Sequence, residues 1–346
     1  MDNKEINLVE EDDDTNGKLP KNKFCTKSKQ LLFVLFCSLI ALTIYLIIII
    51  SIIRNEKTDS SEKKTEPGPE PEPPKPKNDT IGYINCTYLV HDNEELKLLN
   101  EDFEIPLNFT IYVDDEKIET PQKYLSLENG KHNITYIFYN EIIMDNMFKN
   151  VPYILSIDMS SNNNCSILSM KSAFENCSNL NNFKIEGFDT KKLKSLERLF
   201  YMTPIETIDF KNFNTENVTD MSYMFYATSI SSINFTFLNT KNVINMAYMF
   251  AYSISLAFLD LPSFDTSNVV NMSHMFCHCE ILGFLELKSF NTSKVEDMSY
   301  MFSGCYSISG ILLSNFDTRS VKNMAHMFEN SSLLWNIDLS ILIQVK

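Results

Sequence analysis

One feature governs what this chain can fold into: a phenylalanine that follows M-x-x-M, or a degenerate form of it, returns at a nearly fixed distance. It falls at Phe148, Phe174, Phe200, Phe225, Phe250, Phe276, Phe302 and Phe328, in steps of 26, 26, 25, 25, 26, 26 and 26 residues. The fullest copies read "FNTENVTDMSYMFYAT" from Phe213, "FDTSNVVNMSHMFCHC" from Phe264, "FNTSKVEDMSYMFSGC" from Phe290 and "FDTRSVKNMAHMFENS" from Phe316. Looser copies start at Phe188 and Leu238, giving eight units of which the first two are degenerate. A chain with such a period stacks unit on unit, because each unit can bury its apolar side only against its neighbours.

Within a unit the pattern changes period. Val269, Met272, Met275 and Phe276 lie at i, i+3, i+6 and i+7, which predicts one face of a short helix. Leu282, Leu285 and Leu287 then alternate as in a strand, and the strand positions recur in every unit, from Ile157/Met159 to Ile337/Leu339. Thr190, Thr215, Thr240, Thr266, Thr292 and Thr318 precede the predicted helices and suit N-caps. The Asp or Asn before each threonine suits a turn closed on its own backbone.

The sulfur and imidazole groups of "MSHMFCHC" sit in columns. The methionine columns hold Met170, Ala173, Leu196 and Leu199 in other units, so they ask for bulk rather than for a metal ligand. Cys177, Cys279 and Cys305 alternate with Thr203, Thr228, Ser253 and Ser331, which predicts a tight interior turn. Cys279 and Cys305 lie in consecutive units, where the spacing of paired strands also admits a disulfide. No cofactor and no metal are expected. Tyr223, Tyr248, His274, Tyr300 and His326 share a column opposite the apolar face and form a candidate partner-binding ridge.

Outside the repeats, residues 1–30 read as a cytoplasmic tail and 31–53 as an uncleaved signal anchor, since Leu31–Ile50 holds twenty residues without a charge. Residues 54–79 form a Pro/Glu/Lys-rich spacer, 80–140 a small β module that caps the array, and 141–346 the repeats. Within the module, "ENGK" (Glu128–Lys131) reads as a hairpin turn. Eleven N-x-S/T sequons lie beyond the apolar span; Asn78, Asn85, Asn108, Asn133, Asn164, Asn176, Asn217, Asn234, Asn271 and Asn330 are candidate glycosylation sites, Asn291 being needed for its turn. They predict a single-pass membrane protein with the N-terminus cytoplasmic and the C-terminal domain extracellular or lumenal. The apolar C-terminal end suggests self-association as a further option.

The formal net charge of −15 falls mostly on the repeats and the module, which excludes a nucleic-acid partner. Asp209, Asp260, Glu286 and Asp338 lie between strand apolars, with Phe258, Phe284 and Trp335 beside them, as a candidate face for an unknown protein or glycan ligand.

With those residues laid out, "FDTSNVVNMSHMF", "FNTSKVEDMSYMFSGC" and "FDTRSVKNMAHMF" resemble the repeats of the BspA-like leucine-rich-repeat surface proteins. The resemblance implies an α/β, leucine-rich-repeat-like solenoid with one short strand and one short helix per unit, preceded by the β module and the transmembrane helix. It implies adhesion or ligand binding at a surface, without catalysis. A structural, self-associating role is the alternative. A lumenal enzyme of glycosyltransferase layout is disfavoured, because the residues outside the repeats leave no room for a nucleotide-sugar site.

Overall fold

The computed structural model describes residues 82–91, 95–107, 109–138, 141–160, 165–211, 213–231, 233, 235–334 and 337. All belong to the second of two compact units, Glu72–Lys346; the first, Met1–Pro71, lies outside the described residues.

Alternation builds the first part. Strand β1 (Gly82–Val90) buries every second side chain. It pairs antiparallel with β6 (Gly130–Phe138), in register from Gly82↔Phe138 to Val90↔Gly130. β6 also pairs with β3 (Phe109–Val113), which turns at Asp114–Asp115 into β4 (Glu116–Lys117). Both turn residues have positive φ, 48° and 69°, as a two-residue hairpin loop matched to strand twist requires. The "ENGK" stretch does not join hairpin partners: β5 (Tyr124–Ser126) pairs with β2 (Glu95–Lys97) in a separate sheet. On its other edge β1 pairs with β8 (Ile154–Met159), and β8 pairs in parallel with β10 (Asn182–Ile185). The six-stranded order is therefore β10-β8-β1-β6-β3-β4, and the module shares its sheet with the first repeats.

The repeats are held by a different device. In the unit of Met272, the N–H groups of Met272, His274, Phe276 and His278 donate to the carbonyls of Asp297, Ser299, Met301 and Ser303 in the next unit, at 2.9, 2.8, 3.0 and 2.7 Å. The intervening N–H groups of Met275, Cys277 and Cys279 close back on Met272, His274 and Phe276, three residues earlier. His274 and His278 both have φ of 57°, and the equivalent positions are left-handed in every unit from Asn146/Asn150 to His326/Asn330.

This overturns the expected α/β, leucine-rich-repeat-like solenoid. No described residue is in a helix, and the repeats form no continuous sheet; β7 (Ile142–Ile143) pairs only with β9 (Ile167–Ser169), and β11 (Phe258–Asp260) only with β12 (Phe284–Glu286). A helix needs N–H bonds four residues back and negative φ throughout. A tight turn with bonds three residues back places Met272 and Met275 on the same side just as a helix would. The i, i+3 spacing is common to both, and the positive φ every fourth residue decides between them.

The threonines are corrected with the helices. Thr266 is fully buried; its hydroxyl donates to Asn291 O at 2.9 Å and accepts from Asn291 N at 2.8 Å, so it ties one unit to the next instead of capping a helix. Thr215 and Thr292 do the same. The preceding Asp or Asn closes its expected turn two residues on, as Asp265 does with Ser267 N at 3.0 Å.

The core is a set of columns along the stack. The rings of Phe148, Phe174, Phe200, Phe225, Phe250, Phe276, Phe302 and Phe328 lie near-parallel with centroids 5.6–6.1 Å apart. Met221, Met224, Met246, Met249, Met272, Met275, Met298 and Met301 are fully buried beside them. Each such side chain contributes about 1.5–3 kcal/mol.

Among the described residues no helix is long and apolar enough to cross a membrane. The single-pass membrane helix, the membrane partner and the cytoplasmic-to-extracellular placement read from the sequence find no such helix there; they rested on Leu31–Ile50, which lies outside the described residues.

Candidate functional site

The left-handed residues of the turns generate a surface column. Tyr223 stacks on Tyr248 at 4.5 Å, Tyr248 on His274 at 4.1 Å, His274 on Tyr300 and Tyr300 on His326, both at 4.6 Å, with every pair within 16° of parallel. The Arg198 guanidinium lies 4.7 Å from the Tyr223 ring and continues the row. The predicted ridge thus exists, but its ring faces are spent on one another. Tyr223, Tyr248, His274 and Tyr300 are half-buried, and His326 at the end is exposed. His274 Nδ1 is buried without a hydrogen-bond partner among the described residues. Burial lowers the His274 pKa below its usual 6.5, against a smaller opposing pull from Asp297.

A second column was not read from the sequence. Tyr201 stacks on Tyr226 at 4.6 Å, Tyr226 tilts against Tyr252 at 5.3 Å, and Tyr252 stacks on His278 at 4.7 Å. The row ends over Gly304, where an added Cβ would sit 2.8 Å from His278 Nδ1. Its signal was available: aromatic or imidazole groups recur there one unit apart, one or two residues after the core phenylalanine.

Cys279 and Cys305 are free thiols, the reduced state and not the disulfide that their spacing also admits. Cys177, Cys279 and Cys305 each donate to the carbonyl of the core phenylalanine one unit earlier, at 3.0, 3.1 and 3.0 Å. Thr203, Ser253 and Ser331 make the same bond. The column therefore asks for a small side chain with a proton to give, which is why Cys, Ser and Thr replace one another. Burial pushes the Cys177 and Cys305 thiols up to about 12 and the Cys279 thiol well above its usual value, so all three keep their proton. Among the described residues no group of three His, Cys, Asp or Glu side chains could hold a metal ion.

The strand-face candidates are partly gathered. Asp260 is exposed and in register with half-buried Glu286 across the parallel pair β11–β12. Phe258 beside it is 49% exposed, and Leu312 in the following unit 67% exposed. Asp209 is also exposed, its carboxylate accepting from Lys211 N at 2.9 Å. The Phe284 side chain, Trp335 and Asp338 lie outside what the structure describes.

The sequon residues fall in varied settings. Asn133, Asn176, Asn217 and Asn330 are exposed. Asn85 is half-buried in β1, where it accepts from Thr135 Oγ1 at 2.9 Å, and half-buried Asn271 accepts from Ser273 N at 2.9 Å. Asn78, Asn108, Asn164 and Asn234 lie outside the described residues.

A groove of about 550 Å³ is lined by Lys194, Asn217, Thr219, Asn242, Ile244, Asn268, Val270 and Lys294. Of these residues only Asn217, as a sequon, stood out in the sequence.

No curated protein and no solved structure matches the chain. One family does, described as "Mycoplasma protein of unknown function, DUF285", over residues 142–257 and 251–341. Those matches cover the repeats whose stacked columns have just been described and extend over more than half of the 346 residues, so the chain belongs to the DUF285 family.

Proposed function

We propose that this chain is a non-catalytic binding protein whose repeats hold a protein partner on the strand face of Phe258, Asp260, Glu286 and Leu312. The observation that carries the reading is the like-charge pair. Asp260 and Glu286 are register partners on adjacent strands. Like charges directly opposite one another destabilise a sheet, a cost that the Lys288 ammonium 2.9 Å from Glu286 Oε2 offsets only in part, and a feature that opposes stability marks a functional position. Two exposed apolar groups, Phe258 and Leu312, accompany the acids, so the fitting partner carries Lys or Arg among apolar side chains. The resemblance of the repeats to BspA-like proteins supports binding over catalysis. So does the engagement of the buried thiols in bonds between units.

The test is a peptide-display screen against the full chain and against its Asp260→Asn, Glu286→Gln variant. Enrichment of basic, apolar peptides on the parent alone is expected. Equal enrichment on both would remove this face from the function.

A further inference from the structure

The groove lies on a different segment of each unit, between the buried threonine and the turn. It combines three properties. The first is a row of fixed carboxamides: Asn217, Asn242 and Asn268 each donate Nδ2 to a carbonyl of the preceding unit, those of Lys191, Glu216 and Lys241, at 2.7, 2.7 and 2.8 Å. One hydrogen of each nitrogen is thereby committed, and the oxygens are the acceptors left for a ligand. That of Asn268 accepts from Lys294 Nζ at 2.6 Å, whereas those of Asn217 and Asn242 have no protein partner among the described residues.

The second is an apolar floor. Ile244 is 49% exposed between Thr219 and Val270. The backbone beneath is already paired, Ile244 N to Thr219 O and Val270 N to Ile244 O, both at 2.8 Å, so the groove offers no free strand edge. The third is charge. Lys194 and Lys294 stand at its two ends, neither in an ion pair among the described residues, and no carboxylate lines it, in a chain of net charge −15.

The geometry points to a binding site for a linear acidic glycan, laid along the stack with about one sugar ring per unit. Hydroxyls donate to the Asn217 and Asn242 oxygens, the C–H face of a ring lies on Ile244, and ring carboxylates meet Lys194 and Lys294. Spacing separates this ligand from an acidic peptide. Units joined by parallel backbone bonds repeat about every 4.8 Å. An extended peptide turns the same edge to one side only every second residue, about 6.7 Å, and falls out of step within two rungs. A pyranose chain offers hydroxyls on every ring, and one ring is close to one rung in length. The site and the strand face use different residues, so either can fail without the other.

The experiment is titration calorimetry of the full chain with oligogalacturonates of increasing length, their methyl esters and a poly-glutamate peptide. Affinity should rise with length up to about five rings, one for each unit that lines the groove, and then level off. Lys194→Gln combined with Lys294→Gln should weaken it about tenfold, as expected for two exposed ion pairs, with an unchanged melting temperature. Ile244→Asp, at a half-exposed position, should abolish it. Absence of binding at millimolar concentration, methyl esters that bind as well as the acids, or poly-glutamate that binds as tightly as the glycan would each overturn the assignment.

Discussion

The β module and the repeat stack are both made of strands and turns, yet they are stabilised in opposite ways. In the module, bonds run between long strands, and β1 alone is paired along its whole length with β6. The hydroxyls of its two buried tyrosines, Tyr88 and Tyr136, lie 2.8 Å apart and 3.0 and 3.1 Å from Leu98 O, so that two protons serve three contacts. In the stack, regular strands are short, and the repeated load falls on turns whose alternate N–H groups reach the next unit. The module joins residues far apart in sequence, whereas the stack joins only neighbours. Asn100 connects the two, its N–H to Met147 O and its Nδ2 to Lys149 O, both at 2.9 Å, at the first turn of the stack.

This difference can be broken most forcefully in the phenylalanine column. Phe276→Ala should cost about 3–5 kcal/mol, seen as a lower urea midpoint. Hydrogen exchange should show the loss in neighbouring units, with β1 and β6 still protected, if stack and module open separately. Uniform loss across both would mean that they unfold as one. Thr266→Val comes next. It removes one donor and one acceptor from the pair with Asn291 and should cost about 2 kcal/mol, with Thr266→Ser restoring most of it. In the module, Tyr88→Phe should cost about 1 kcal/mol, because Tyr136 still bonds Leu98 O.

How far these positions were legible follows from what side-chain spacing encodes. The period, the Met and Phe columns and the alternating strand of the module could be read directly, since burial leaves its mark on residue type. The backbone of the turns could not. Tyr223, Tyr248 and Tyr300 hold a left-handed conformation that costs an L-residue about 1–2 kcal/mol, and nothing in a tyrosine announces it. Ring stacking offsets about 0.5–1.5 kcal/mol per pair, an inter-unit term that appears only once the units are laid side by side. The same holds for Thr266, whose hydroxyl was matched to a local cap because its partner is 25 residues away. The groove was hidden for a similar reason: Asn242 gains its meaning from the carbonyl of Glu216, one unit back.

The smallest expected effects concern the ring and thiol columns. His274 is held below its usual 6.5 by burial, so between the folded and unfolded values the unfolded chain binds more protons. The stability is complete above 6.5 and is lost as pH falls through the lowered folded value. Melting curves at pH 7 and pH 5 should show a larger drop for the parent than for His274→Tyr, which copies the neighbouring rungs. If the drops are equal, His274 is not the group responsible. Cys279→Ser should change stability by less than about 1 kcal/mol in thermal melts, since serine makes the same bond at Ser253. A larger loss would show that the thiol is wanted for bulk instead of its proton.

The turn bonds have one more consequence, which concerns polarity along the stack. Met298, Tyr300, Phe302 and Gly304 donate toward the unit that follows, as do Met272, His274, Phe276 and His278 before them. In an antiparallel sheet such dipoles alternate and cancel, but here they point the same way and add, as peptide dipoles do along a helix. Among the described turns this side of the stack is therefore an electrical axis, partially positive toward Met324–Asn330 and partially negative toward the carbonyls that Asn100 holds.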